Sequence, residues 1–211
     1  MKTNKQIRSE SVRETFEHWS TLAMASFLVV VLNFIGGVLE PPMSINSFSL
    51  ALFLGLMGLY PLVGIIYTVV IVWPIGYGYE QMFLLYTRDR NIDVFHPLFK
   101  SFQDLRRSVV LTFLHDCYIL LWSLLLVVPG IVRFYSYRMS FFIALDHPQW
   151  VADRCIHESR IMMRGHKWEK FVLDLSFLGW YIVGSLIFGV GTLWVVPYHA
   201  AATTIFYDNL V

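Results

Sequence analysis

Three stretches of this chain carry no formal charge if His is counted neutral: the residues between Glu17 and Glu40, those from Pro41 to Tyr79, and those from Leu175 to Tyr207. Each is longer than the ~20 residues a helix needs to cross a hydrocarbon core about 30 Å thick. Backbone polar groups in hydrocarbon must be satisfied within the segment, so the choices are helices or a closed barrel. Barrel strands alternate polar and apolar residues, and the run Phe27-Leu28-Val29-Val30-Val31-Leu32 does not. Only 15% of the 211 residues are charged, against roughly 25% in soluble domains. The chain therefore reads as an all-α integral membrane protein.

Six crossings are expected, at about 19–39, 50–76, 108–128, 131–147, 168–189 and 192–207. The first is too long for a signal-peptide core and leads into Pro41 without a small-residue cleavage site, so it reads as a retained signal anchor. Pro61 and Pro74 are candidate kinks in the second. Pro129-Gly130 supplies an outer turn between the third and fourth, and Gly189-Val190-Gly191 separates the last two.

Two amphipathic interfacial helices are expected at about 93–106 and 148–164. In the first, Phe95, Leu98, Phe99, Phe102 and Leu105 recur at helical spacing against His96, Lys100, Gln103 and Asp104. In the second, Asp146-His147-Pro148 is the start signal and Gly165 the stop, with Ala152, Cys155, Ile156, Met162 and Met163 on one face. A short surface helix before the first crossing would present Val12, Phe16 and Trp19.

Charge placement orients the whole. Of 16 Lys and Arg, four precede the first crossing, five lie between Glu80 and Arg107 and five between Arg154 and Lys170. With these inside, both termini are cytoplasmic, the 40–49 connection faces outward, and Arg133 and Arg138 alone lie within a crossing. Arg133, near the outer turn, is expected to snorkel to the outer headgroups.

The run from Trp122 through Pro129-Gly130-Ile131-Val132-Arg133 to Met139, then Asp146-His147-Pro148, the stretch Ser159 to Trp168, Leu175-Ser176-Phe177-Leu178-Gly179-Trp180, Gly189 to Trp194, Pro197-Tyr198 and Phe206-Tyr207 resemble the bacterial integral membrane family catalogued as domain of unknown function 975. The resemblance spans residues 80–209; residues 1–79 share only hydrophobic segments. It implies a multi-pass protein of the bacterial cytoplasmic (inner) membrane and brings no biochemical role.

Ionisable groups within crossings are costly and mark either packing or a pathway. At 1.5 Å per residue, Asp116 and Arg138 lie about 12 and 13 Å from the inner ends of their segments, Asp174 about 9 Å and His199 about 13 Å. With His115 they form a candidate polar layer in the inner half, and Asp116 and Arg138 are placed to meet. Adjacency alone does not make His115 and Asp116 a catalytic pair, because neighbouring helical positions point about 100° apart.

No Ser elbow, zincin motif, P-loop or dinucleotide fingerprint occurs. Cys117 and Cys155 lack metal-ligand spacing and read as free thiols. No cofactor, metal or nucleic acid is expected. The expected partners are membrane lipids, with a protein partner or a second copy of the chain as further candidates. The leading function is a non-enzymatic membrane module binding lipids or proteins. The alternatives are a small transporter or channel subunit using the polar layer and, last, an interfacial lipid-modifying enzyme.

Overall fold

The computed structural model describes residues 2–17, 19–38, 62–89, 94–186 and 191–211, all of them helical or in short connections. The expected 40–49 connection, the start of the second crossing with Pro61, and Gly189-Val190 fall outside the described residues. The helices are α1 (Asn4–Glu17), α2 (Trp19–Val38), α3 (Leu62–Arg88), α4 (Phe95–Lys100), α5 (Leu105–Leu125), α6 (Val127–Tyr137), α7 (Ser140–Asp146), α8 (Ala152–Met162), α9 (Lys167–Leu186) and α10 (Thr192–Asp208). Among the described residues, α3 and α5 are long and apolar enough to cross a membrane, and Trp19–Ile35 is a shorter apolar helix.

The central element is α10. From Ala201 to Tyr207 every residue is buried, as expected for a helix packed on all sides. It contacts α1, α2, α3 and α9. Helices α2 and α3 run antiparallel, tied by the Ser26 and Tyr79 hydroxyls at 2.9 Å and by Tyr67 donating to the Leu32 carbonyl at 2.8 Å. A widened π turn at Thr68–Val72 lies just before Pro74, where the missing proline N–H loosens the i→i−4 ladder. Helix α3 does not end near Gly76 as expected but continues to Arg88, which brings Glu80 inside it.

Helices α5 and α6 form a tight hairpin. Its turn is Leu126, extended at φ −162° and ψ 145°, three residues earlier than expected. Pro129 sits instead in the first turn of α6, where a missing N–H is harmless. The two arms approach so closely at Gly130 that an added Cβ would lie 2.5 Å from Ser123 Oγ and 2.9 Å from its Cα. Gly184 and Gly191 do the same for α9 and α10, each Cβ position meeting the other's backbone within 3 Å.

The expected fourth crossing is two helices rather than one, interrupted at Arg138 and Met139. Ser159 of α8 supports the interruption: its hydroxyl donates to the Ser136 carbonyl at 2.9 Å and accepts the Met139 N–H at 3.1 Å. A freed backbone pair is thus satisfied by a side chain from another helix.

The interfacial helices also differ in extent. The first is only six residues long, and Leu105 opens α5 instead of closing the amphipathic stripe. The second begins at Ala152, after Asp146 has closed α7, and Gly165, at φ +88°, ends the turn that follows it. Its predicted face is the buried one at Cys155, Ile156 and Met163, and burial pushes the Cys155 thiol up from its ordinary range. Helix α1 buries Ile7, Ser11 and Thr15, not the expected face, and leaves Val12 exposed; the side chain of Phe16 falls outside the described residues.

Candidate functional site: a buried charge network

Lys170 and Asp174 stand one helical turn apart on α9, a spacing that lets their side chains meet. They form an ion pair in which Lys170 is fully buried. Its ammonium also donates to Thr203 Oγ1 of α10 at 3.1 Å, while the Thr203 hydroxyl donates to the His199 carbonyl at 2.9 Å.

His199 completes this corner. Its Nε2 lies 2.8 Å from Asp174 Oδ1 and its Nδ1 3.3 Å from the Tyr181 hydroxyl. A neutral imidazole protonated at Nε2 fits both partners, donating to the carboxylate and accepting from the phenol. Phe177 packs its ring 4.8 Å from the imidazole, which fixes the ring's plane.

Arg138, at the interruption between α6 and α7, pairs with Glu80 of α3, Nη1 to Oε1 at 3.0 Å. Asp174 lies close enough to Arg138 and to Tyr135 to interact electrostatically with both, and Glu80 does the same with Lys170. Two cations, two carboxylates and an imidazole therefore form one network, joining α3, the α6–α7 break, α9 and α10. In low dielectric an unpaired charge costs several kcal/mol, so mutual pairing is what makes their burial tolerable.

The expected layer is thus divided. Arg138, Asp174 and His199 come together, whereas His115 and Asp116 lie apart on α5. Arg138 meets Glu80 and not Asp116. His115 and Asp116 touch each other, Nδ1 to Oδ1 at 3.1 Å. The His115 ring is buried against Phe141, while the Asp116 side chain is 56% exposed. Glu80, read as the start of a cytoplasmic connection, and Lys170, counted with the cytoplasmic charges at the inner end of the 168–189 crossing, are network members that the expected layer left out. The Lys170–Asp174 spacing of four was the available signal for one of them.

A second cluster closes the end of the bundle. The Arg88 guanidinium holds Asp146 at 2.5 and 2.9 Å and Asp208 at 2.8 Å, and Tyr207 donates to Asp146 at 2.7 Å. This fastens the last turns of α3, α7 and α10. Between α1 and the α9–α10 pair lies a cavity of about 320 Å³ walled by Trp19, Trp180, Trp194 and Tyr198, with Arg8 at its edge. Among the described residues no three His, Cys, Asp or Glu side chains converge as metal ligands.

Residues 125–211 match the family described as "Protein of unknown function (DUF975)". The DUF975 match starts at the last residue of α5 and takes in Arg138, Lys170, Asp174 and His199, while Glu80, His115 and Asp116 precede it. No curated protein and no solved structure matches the chain.

Proposed function

We propose that this chain is a single polytopic domain of the bacterial cytoplasmic membrane, with six crossings and cytoplasmic termini, that acts as a non-enzymatic module binding lipids or a membrane partner. The crossings would be α2, α3, α5, the α6–α7 pair, α9 and α10. Supporting the membrane setting, Phe34, Leu124, Leu125 and Val128 are each about 70% exposed or more; covering such side chains gains ~1.5–3 kcal/mol apiece.

The observation that carries the non-transporting reading is the closure of the charge network. Glu80, Arg138, Lys170 and Asp174 each have an opposite charge beside them, which suits a lock between helices better than a station for a passing ion. The aromatic cavity beside α1 offers a binding place for an amphipathic molecule. Proteoliposomes carrying the wild-type chain should show proton and cation flux equal to empty liposomes. Flux abolished by Asp174→Asn would overturn the reading.

One observation favours a transporter: the interrupted helix at Arg138 and Met139, with backbone groups freed next to charged side chains, is a feature of solute sites in transporters. The same flux experiment decides between the two.

A further inference from the structure

Another cavity, of about 270 Å³, opens between the α5–α6 hairpin and α8, and none of the paired network residues lines it. Its basic wall is Arg133 of α6 with His157 and Arg160 of α8, and its aromatic wall is Tyr118 and Trp122 of α5. The single carboxylate in its lining, Asp153, already accepts from the Tyr118 hydroxyl at 2.9 Å. The Arg133 guanidinium stacks 4.1 Å over the Trp122 ring, which fixes its position without neutralising it. Arg160 Nε is buried and has no hydrogen-bond partner among the described residues. Lys167 feels the charges of Arg133, Arg160 and Arg164 together, so the rim is cationic beyond the cavity itself.

The tip of the same hairpin is apolar and bare. Leu120, Leu121, Leu124, Leu125, Val127 and Val128 are all more than half exposed. Arg133 lies among the basic residues of α8 and the start of α9.

We propose that this cavity is a binding site for an anionic phospholipid. The headgroup phosphate sits between Arg133 and Arg160, and the acyl chains lie along the exposed leucines and valines of the hairpin. Arginine suits this role because its planar fork presents paired donors to phosphate oxygens. Phosphate supplies the missing acceptor for Arg160 Nε, and the acyl chains cover surface that is exposed among the described residues. A free inorganic anion would satisfy only the first requirement. The proposal rests on the reading of the chain as a lipid-binding membrane module and names the lipid class.

The test is native mass spectrometry of the full chain released from nanodiscs containing phosphatidylglycerol or phosphatidylcholine. Wild type should retain phosphatidylglycerol about tenfold more than phosphatidylcholine. The Arg133→Gln/Arg160→Gln variant should lose that preference, while a Lys2→Gln/Lys5→Gln variant, which removes the same charge elsewhere, should keep it within about twofold. Arg133→Lys/Arg160→Lys, keeping charge without the fork, should retain an intermediate preference, and far-UV circular dichroism identical to wild type certifies each variant as folded. Equal retention of the two lipids by wild type, or an undiminished preference in the Gln variant, overturns the site. Displacement of phosphatidylglycerol by millimolar inorganic phosphate would also overturn it, in favour of a free-anion site. None of these outcomes alters liposome flux, so the site can fail while the non-transporting reading stands.

Discussion

The α9–α10 pair and the α5–α6 hairpin are both apolar helical pairs drawn together at glycines, yet they treat charge in opposite ways. In the first, Lys170 is fully buried and Asp174 and His199 are mostly covered, and all three hydrogen-bond within the network. In the second, Asp116 is more than half exposed, and Arg160 of α8, which lines the cavity beside the hairpin, has no acceptor for its Nε among the described residues. Enclosed, mutually paired charges hold helices in register, whereas incompletely paired charges beside a bare apolar tip invite something from outside the chain. The difference arises from packing, since both pairs are built from similar residues.

That contrast is sharpest where a charge would be stranded. Asp174→Leu should lower stability by about 3–5 kcal/mol in lipid nanodiscs, because it leaves the Lys170 ammonium fully buried beside a neutral side chain. Lys170→Met should cost less, about 1–3 kcal/mol, since His199 still hydrogen-bonds Asp174. If the two losses were equal, the network would not be anchored on Asp174. Both are read from thermal unfolding of variants matched for lipid content.

Next in size is the helix interruption. Ser159→Ala should cost about 1–3 kcal/mol, because it leaves the Ser136 carbonyl and the Met139 N–H unpaired in the interior. Faster amide exchange at Met139 and its neighbours is the local sign to look for. No change there would mean that the break is held by something other than the Ser159 hydroxyl.

The smallest effect should come from the hairpin. Asp116→Asn removes a mostly exposed carboxylate whose ion-pair partner among the described residues is the adjacent His115, and should change stability by no more than about 0.5 kcal/mol. A loss as large as that of Asp174→Leu would erase the distinction between the two regions.

The helical class and the succession of the helices were legible because long uncharged runs and Gly-containing turn signals carry that information; the close approaches at Gly130, Gly184 and Gly191 were not, because those glycines read only as turns or went unread. Arg138, Asp174 and His199 were legible as intramembrane polar groups for the same reason. Glu80 and Lys170 were not, because hydropathy treats a charged residue as the mark of a segment's end; α3 in fact runs eight residues past Glu80. The match of Asp116 to Arg138 failed for a different reason. Depth along a helix was estimated, but the direction in which each side chain points around it was not. Nor could the break at Arg138 and Met139 be foreseen, since neither residue breaks helices and the group that sustains the break, Ser159, comes from a helix twenty residues on.

The central claim, that the buried charges form one structural lock, is tested most directly by a double-mutant cycle on Glu80 and Arg138 in lipid nanodiscs. Glu80→Gln and Arg138→Gln should each destabilise, and the pair together should cost less than their sum by about 1 kcal/mol or more, whereas Asp116→Asn with Arg138→Gln should be additive within about 0.5 kcal/mol. Additive losses for Glu80 and Arg138, or strong coupling of Arg138 to Asp116, would contradict the account.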